Sequence, residues 1–191
     1  MLNVFKDYSS SLNDLLAEYN WENVYKLAKA LRLAWANRKR VFLCGNGGSA
    51  ANAMHLANDL IYGVSPDNED GIMAHTLSCN QSVITCLAND LSYEDIFSYQ
   101  LSVLGDQGDI LITLSGSGNS PNIIKAIHKA KDIKVKTFGI FGFSGGQALG
   151  LVDVAVHFPI DDMQISEDCQ QIVGHMVMRW LKENPAYPKR N

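Results

Sequence analysis

Five short apolar runs recur along this chain: RVFLC (40–44), GIMAHTLS (71–78), DILITLS (109–115), KTFGIFG (136–142) and VDVAVHF (152–158). Between most of them lies a stretch long enough to hold a helix. That alternation constrains the fold more than any other feature, because strands joined through helices run parallel. Strands of a parallel sheet are covered on both faces, so they read as near-continuous apolar runs. The pattern predicts an α/β fold, a five-stranded parallel sheet in a three-layer αβα sandwich. Helices are predicted over about 49–61, over 81–104 with an interruption near ANDLSYED (88–95), over 119–131 and over 165–181.

Two further helices precede the first strand. Phe5, Tyr8, Leu12, Leu15, Leu16 and Tyr19, then Val24, Leu27, Ala28, Leu31, Ala34 and Trp35, recur at three-and-four spacing. The chain therefore divides into a helix pair (1–38), the sandwich (39–183) and a proline-broken tail, NPAYPKRN (184–191), within one domain of 191 residues. The helix pair has no strand of its own to cover. Its stripe faces either the sheet layer or another copy of the chain, and the two readings stand level at this point.

Sixteen Lys and Arg against 20 Asp and Glu give a net charge of −4, with the cations scattered rather than striped. No nucleic-acid partner is expected, and a negatively charged ligand has to be held locally. No apolar run is long enough to span a bilayer, and the opening MLNVFKDYSSSLNDLLAEYN lacks the apolar centre of a signal peptide. Cys44, Cys79, Cys86 and Cys169 show no Cys-x-x-Cys spacing. The expectation is a reduced, cytoplasmic chain without a membrane partner.

Two glycine-serine corners carry the chemistry. In CGNGGSAANAMHLAND (44–59), small residues lie between a strand and a helix, where backbone N–H groups and the helix N-terminus attract an anion such as phosphate. Alone, such a corner reads equally well as a tight turn. The second corner, LSGSGNSP (114–121), offers the hydroxyls of Ser115, Ser117 and Ser120 between Gly116 and Gly118, with Ser120 placed to cap a helix and Pro121 in its first turn. The corners follow the first and third strands, which are neighbours at the switch point of a sheet in flavodoxin-like order. Both loops then face one ligand. Gly45, Gly47 and Ala50 fit a dinucleotide fingerprint only weakly, since the second strand ends in LSCNQS with no acid for a ribose, and no Walker motif is present. No nucleotide cofactor is expected.

His55 and Asp59, four residues apart on one helix face, have the spacing of metal ligands or of an acid–base pair. A surface Asp and a packing His would read the same way in isolation. The segment ISEDCQQIVGHMVMRWL (165–181) adds Glu167, Asp168 and His175, with His175 expected deep among Ile172, Val173, Met176 and Leu181. Glu167 and His175 stand about 12 Å apart along a helix axis, so one straight helix does not bring both to one metal. Either Glu167 belongs to the incoming loop, or it serves a neighbouring subunit's site.

Taken together, CGNGGSAANAMHLAND, LANDLSYEDIF, GDILITLSGSGNSPNIIKAI, FGFSGG and the stretch from Glu167 and Asp168 to His175 resemble the sugar isomerase (SIS) domain superfamily, and within it the phosphoheptose isomerases. The resemblance covers nearly the whole chain. It implies a homotetramer with active sites at subunit interfaces, often a bound zinc ion, and a sugar-phosphate substrate. The implied reaction interconverts ketose and aldose phosphates, sedoheptulose 7-phosphate with a heptose 7-phosphate or a related sugar phosphate, as in heptose biosynthesis. Position by position, it implies that Ser115, Ser117 and Ser120 hold the phosphate, with Gly116, Gly118 and Asn119 shaping that loop. Asn46, Gly47 and Ser49 would contact the sugar, Asn89 and Asp90 would lie close by, and His55, Asp59, Glu167 and His175 would be the zinc or acid–base groups.

Four departures stand out. Phosphoheptose isomerases usually carry Glu, Gln, Thr and Arg where this chain has Asp59, Glu167, Gly116 and Gly63. One carboxylate is shortened and another is gained, which implies a reshaped acid–base set and a different substrate within the family. An aldose–ketose interconversion needs a base at the carbon beside the carbonyl and an acid at the carbonyl oxygen. Asp59 is the expected base, with Glu167 as competitor, and His175 the expected acid. The alternative is a catalytically silent SIS domain that binds a sugar phosphate or a protein partner for regulation. Such domains tend to lose their ionisable residues, and this chain keeps His55 and His175.

Overall fold

A computed structural model describes residues 2–67 and 70–187. Met1 of the expected helix pair, residues 68–69 and part of the expected tail (188–191) lie outside the described residues. The chain opens with α1 (Asn3–Ala17) and α2 (Glu22–Ala36), then β1 (Arg40–Cys44) and α3 (Gly47–Asn58), which runs into one π-helical turn (Asp59–Gly63). β2 (Met73–Thr76) is followed by α4 (Gln81–Asp90), a 3-10 turn (Tyr93–Asp95) and α5 (Ser98–Leu104). The remaining elements are β3 (Ile110–Ser115), α6 (Pro121–Asp132), β4 (Lys136–Phe141), β5 (Val154–His157) and α7 (Met163–Glu183).

The five strands lie in the order β2-β1-β3-β4-β5, all parallel. This is the flavodoxin-like order. Cys44 pairs with Thr113, so β1 and β3 end side by side and their loops leave the same edge of the sheet. Alternate strand residues feed two cores. Val41, Leu43, Ile112 and Leu114 pack with α2, α3 and α7, whereas Phe42, Leu111 and Phe141 pack with α4, α5 and α6. Full burial of such a side chain contributes roughly 1.5–3 kcal/mol.

The structure answers the question of the opening helix pair in two halves. α2 buries Val24, Leu27, Ala28, Leu31, Ala34 and Trp35 within its own chain. α1 buries none of its residues; Tyr8, Leu12, Leu15 and Leu16 are half covered against the same core, and Val4 and Phe5 are exposed.

Two local expectations are corrected and a third is met. The helix expected over 49–61 starts at Gly47 and widens at Asp59, where the Val64 N–H reaches the Asp59 carbonyl at 3.0 Å. The interruption expected near ANDLSYED falls at Ser92, whose extended backbone (φ −160°, ψ 160°) no helix can pass through. His175 is exposed rather than deep in the helix face. The buried stripe of α7 is Cys169, Val173, Val177 and Leu181, and a residue two positions after Val173 is rotated by about 200° away from it.

All four cysteines are free, Cys44 and Cys169 buried and Cys79 and Cys86 exposed. Burial pushes the Cys169 thiol up to about 11. Among the described residues no helix is long and apolar enough to cross a membrane.

Candidate active site

The two glycine-serine corners meet. Asn46, between β1 and α3, and Asn122, in the first turn of α6, exchange side-chain amide hydrogen bonds of 2.9 and 2.8 Å. The Tyr93 hydroxyl donates to Asn46 Oδ1 at 3.0 Å. Loops 76 residues apart in sequence are thus tied into one rim at the switch point of the sheet.

The 115–120 loop is braced from within and from behind. Ser115 is buried, and its Oγ accepts from the Gly118 N–H at 3.0 Å; Ser117 Oγ accepts from the Asn119 N–H at 3.3 Å. Ser120 sits at the N-cap of α6 but makes no side-chain cap bond, contrary to the expected capping, and its backbone carbonyl takes the first helical N–H groups instead. Its hydroxyl is therefore not spent on the helix. The turn after β4 packs on the loop: the Ala148 N–H donates to the Gly118 carbonyl at 3.0 Å and the Gln147 N–H to Asn119 Oδ1 at 3.0 Å. Gly118 has φ +65°, and a Cβ there would lie 2.0 Å from the Gly145 carbonyl oxygen, so both the turn and the close approach require glycine. A Cβ at Gly116 would lie 2.6 Å from Met163 Sδ; the thioether fills the space that the Thr of the family pattern would take.

A second line of groups runs along the seam between α3 and α7. At its start, a Cβ on Gly48 would lie 2.3 Å from Glu167 Oε2, so glycine lets this carboxylate sit against the first turn of α3. The N-terminal end of a helix favours an anion there. Next, Asn52 Nδ2 donates to the Glu167 carbonyl and to Gln170 Oε1, both at 2.9 Å, and Gln170 Nε2 donates to Ser49 Oγ at 3.0 Å. At its far end, His55 Nε2 and His175 Nε2 stand 3.0 Å apart, with Asp59 Oδ2 at 3.5 Å from the first and 3.7 Å from the second.

This triad has an unusual balance. The imidazoles are 45% and 50% exposed, whereas the Asp59 side chain is 15% exposed and its Oδ2 is buried with no hydrogen-bond partner. A buried carboxylate oxygen without a donor is costly unless a cation or proton lies beside it. His55, Asp59 and His175 offer ligand atoms all within 4.8 Å of one another. Gly63 closes the π turn beside them; a Cβ there would meet Asp59 Oδ1 at 3.6 Å.

Not every expected residue joins this geometry. Glu167 lies in α7 itself, not in the incoming loop, and is not among the three clustered ligands. Two helical turns separate it from His175. Ser49 is buried and held by Gln170. Gly47 (φ +54°) opens the first corner. Asn89 and Asp90 end α4, where Asn89 Nδ2 donates to Asp90 Oδ1 at 2.8 Å and Cys86 Sγ approaches Asp90 Oδ2 at 3.4 Å; the hydroxyl that reaches Asn46 belongs to Tyr93. Hydrogen bonds from Asn89 and Cys86 hold the Asp90 carboxyl below the usual carboxylate range. α1 reaches α7, with the Tyr8 hydroxyl 2.5 Å from Asp168 Oδ2. Burial and that carboxylate push the phenol up.

Sequence reasoning missed Tyr93, Asn122, Asn52, Gln170 and the fit of Gly48 to Glu167. Position gave a faint signal for two of them. Asn122 stands two residues after Ser120, and Asn52 three before His55, the spacing of one helix face.

Residues 5–142 match the SIS domain family. The chain belongs to that family. A phosphoheptose isomerase of Chlorobaculum parvum is 35% identical over 182 residues, 94% of this chain and 87% of the relative. One of Helicobacter pylori is 40% identical over 171 residues, 90% of this chain and 86% of the relative. Among solved structures, phosphoheptose isomerase GmhA from Neisseria gonorrhoeae superposes with a TM-score of 0.88 at 24% identity, covering 95% of this chain and 97% of that one. That last likeness is one of fold. In this SIS domain the two loop corners and the Gly48–Glu167 start of the α3–α7 seam lie at the carboxyl ends of the strands, where open α/β sheets bind their ligands, and the triad lies about 12–18 Å further along α3, toward the other edge of the sheet.

Proposed function

We infer that this SIS domain is a sugar-phosphate isomerase of the phosphoheptose type, interconverting sedoheptulose 7-phosphate and an aldose phosphate through an enediol. The observation that carries the reading is the His55–Asp59–His175 triad on the α3–α7 seam, in a chain whose curated relatives over most of its length are phosphoheptose isomerases. A binding-only domain has no use for a carboxylate oxygen buried without a hydrogen bond beside two imidazoles, so the silent alternative is not favoured.

In this reading the phosphate sits on the 115–120 loop, held by Ser117 and Ser120 and by the backbone that Ser115, Gly116, Gly118 and Asn119 shape. The start of α6 favours the anion. Binding energy at that remote end orients the reacting end. Asn46, Gly47 and Ser49 line the sugar, with Asn89 and Asp90 nearby. Asp59 takes the proton from the carbon beside the carbonyl and His175 protonates the carbonyl oxygen, because these two groups belong to one constellation with atoms 3.7 Å apart. Glu167, two turns away, orients the sugar rather than sharing its reacting carbon.

The donor set suits zinc: two imidazole nitrogens and a carboxylate oxygen that lacks any donor of its own. His55, Asp59 and His175 would hold it, with Glu167 left outside the triad, and the ion would polarise the carbonyl as a Lewis acid. A homotetramer with active sites at subunit interfaces, where the loop of one copy and the triad of another would face one substrate, and a cytoplasmic setting complete the reading on the strength of the family resemblance.

The test is to incubate the protein with a panel of ketose phosphates in D₂O while measuring the metal content of the same preparation. Deuterium at the carbon beside the carbonyl, lost in His175→Ala while phosphosugar binding remains, is the expected outcome. Thermal stabilisation by the sugar phosphates without any exchange would replace the isomerase with a binder.

A further inference from the structure

We propose that Asn122 and Tyr93 are positioning residues that lock the side-chain amide of Asn46 as a pure hydrogen-bond donor toward the sugar. The proposal rests on the isomerase reading only in placing Asn46 at the substrate.

The lock starts at the backbone. The Ile123 N–H is shared between the Ser120 carbonyl and Asn122 Oδ1, each at 3.0 Å, and a nitrogen in the latter place would set two donors face to face. The other arm of the Asn122 amide is then Nδ2, a donor, and it meets Asn46 at 2.8 Å. Asn46 must present its oxygen there, and its Nδ2 returns a bond of 2.9 Å to Asn122 Oδ1. The Tyr93 hydroxyl, facing an oxygen that can only accept, donates to it at 3.0 Å. Both lone pairs of Asn46 Oδ1 are now used, and one of its two amide hydrogens is left over. Asn46 has a donor to give and no acceptor.

Each lock is itself held. Asn122 is 1% exposed, so water cannot replace its partners. Tyr93 is 57% exposed but is carried by a turn whose Glu94 and Asp95 bridge to Lys125 at 3.2 and 3.1 Å. Lys125 lies three residues after Asn122, on the same side of α6. One helix thus sets both partners of Asn46.

A fixed donor discriminates among substrate oxygens. It favours one that gains negative charge along the reaction, and it costs nothing in reorganisation at that moment. Without the locks, the amide can turn its oxygen toward the sugar.

The test is a double-mutant cycle between Tyr93→Phe and Asn46→Ala, read as kcat and KM with a ketose phosphate that the wild type turns over. Tyr93→Phe should lower kcat by about 10-fold, the loss of one net hydrogen bond, while KM stays within about twofold and the melting temperature is unchanged. In the Asn46→Ala background the same substitution should have no further effect. Asn122→Asp, which can accept from Asn46 but cannot donate to it, should behave likewise; its burial makes misfolding a risk that the exposed Tyr93 does not share. A second arm needs no substrate: in ¹⁵N-labelled protein the Asn122 side-chain amide should exchange slowly with solvent, and Tyr93→Phe should shift the Asn46 side-chain amide signals. Additive effects in the cycle, or an Asn122 amide exchanging as fast as an exposed one, would overturn the proposal. Absence of turnover in the wild type sinks the isomerase reading instead, and the spectroscopic arm then decides on the lock alone.

Discussion

Gly48→Ala is a one-methyl perturbation whose consequence can be worked from distances. The added Cβ would lie 2.3 Å from Glu167 Oε2, 2.4 Å from Oε1 and 2.5 Å from Cδ, whereas ordinary contact begins at 3.4 Å. The carboxylate therefore has to retreat by about 1 Å. Its side chain is flexible and half-buried, and alanine is the better helix former by up to about 1 kcal/mol, so folding should hardly suffer. The expected melting temperature lies within about 3 °C of wild type. Turnover is another matter. A misplacement near 1 Å of a group that orients substrate costs on the order of 100-fold in rate. The assay is kcat/KM on a ketose phosphate for Gly48→Ala, Glu167→Ala and the double variant, with melting curves alongside. If the effect travels through the carboxylate, the double variant matches Glu167→Ala and the losses do not add. Full activity in Gly48→Ala would refute the reasoning, because the placement of Glu167 would then not matter.

Two further outcomes follow from the loop and its supports. Gly118→Ala meets both a positive φ and the Gly145 carbonyl at 2.0 Å, both backbone features that cannot step aside, so it should lower stability by about 2–4 kcal/mol and abolish phosphate binding; a denaturant titration with phosphate present and absent measures both. Asp95 is held below the usual carboxylate range by the Ser92 hydroxyl and by Lys125. A depressed folded-state value means that its contribution is complete above the ordinary carboxylate value of about 3.9 and is lost as the pH falls through the lowered one. The melting temperature of Asp95→Asn should accordingly fall less steeply below about pH 4 than that of wild type, and equal slopes would remove Asp95 from the account.

Local pattern was enough for some of the site. Gly45 to Ala50 and Ser115 to Pro121 were legible because a strand, a glycine turn and a helix start follow one another in sequence. His55 and Asp59 were legible because four residues make one helical turn. His175 was found but misplaced: apolar neighbours at 172, 173 and 176 suggested a buried face, and only the packing of α7 on α2 and α3 shows that the stripe runs through Cys169, Val173 and Val177. Ser120 was read as a cap because its type and place fit, yet its hydroxyl makes no capping bond.

By itself the sequence determined the class of the molecule and which residue types stand at each strand end. Apolar runs alternating with helical stripes admit little besides a covered parallel sheet, and two glycine-serine corners after the first and third strands point together to an anion seat. The tertiary structure alone decided the partnerships across the seam and the rim: Gly48 with Glu167, His55 with His175 and Asn46 with Asn122. Periodicity records which face of an element is apolar but not how far one helix slides or turns against another. A shift of one residue, 1.5 Å along the axis and about 100° around it, would have separated every one of these pairs.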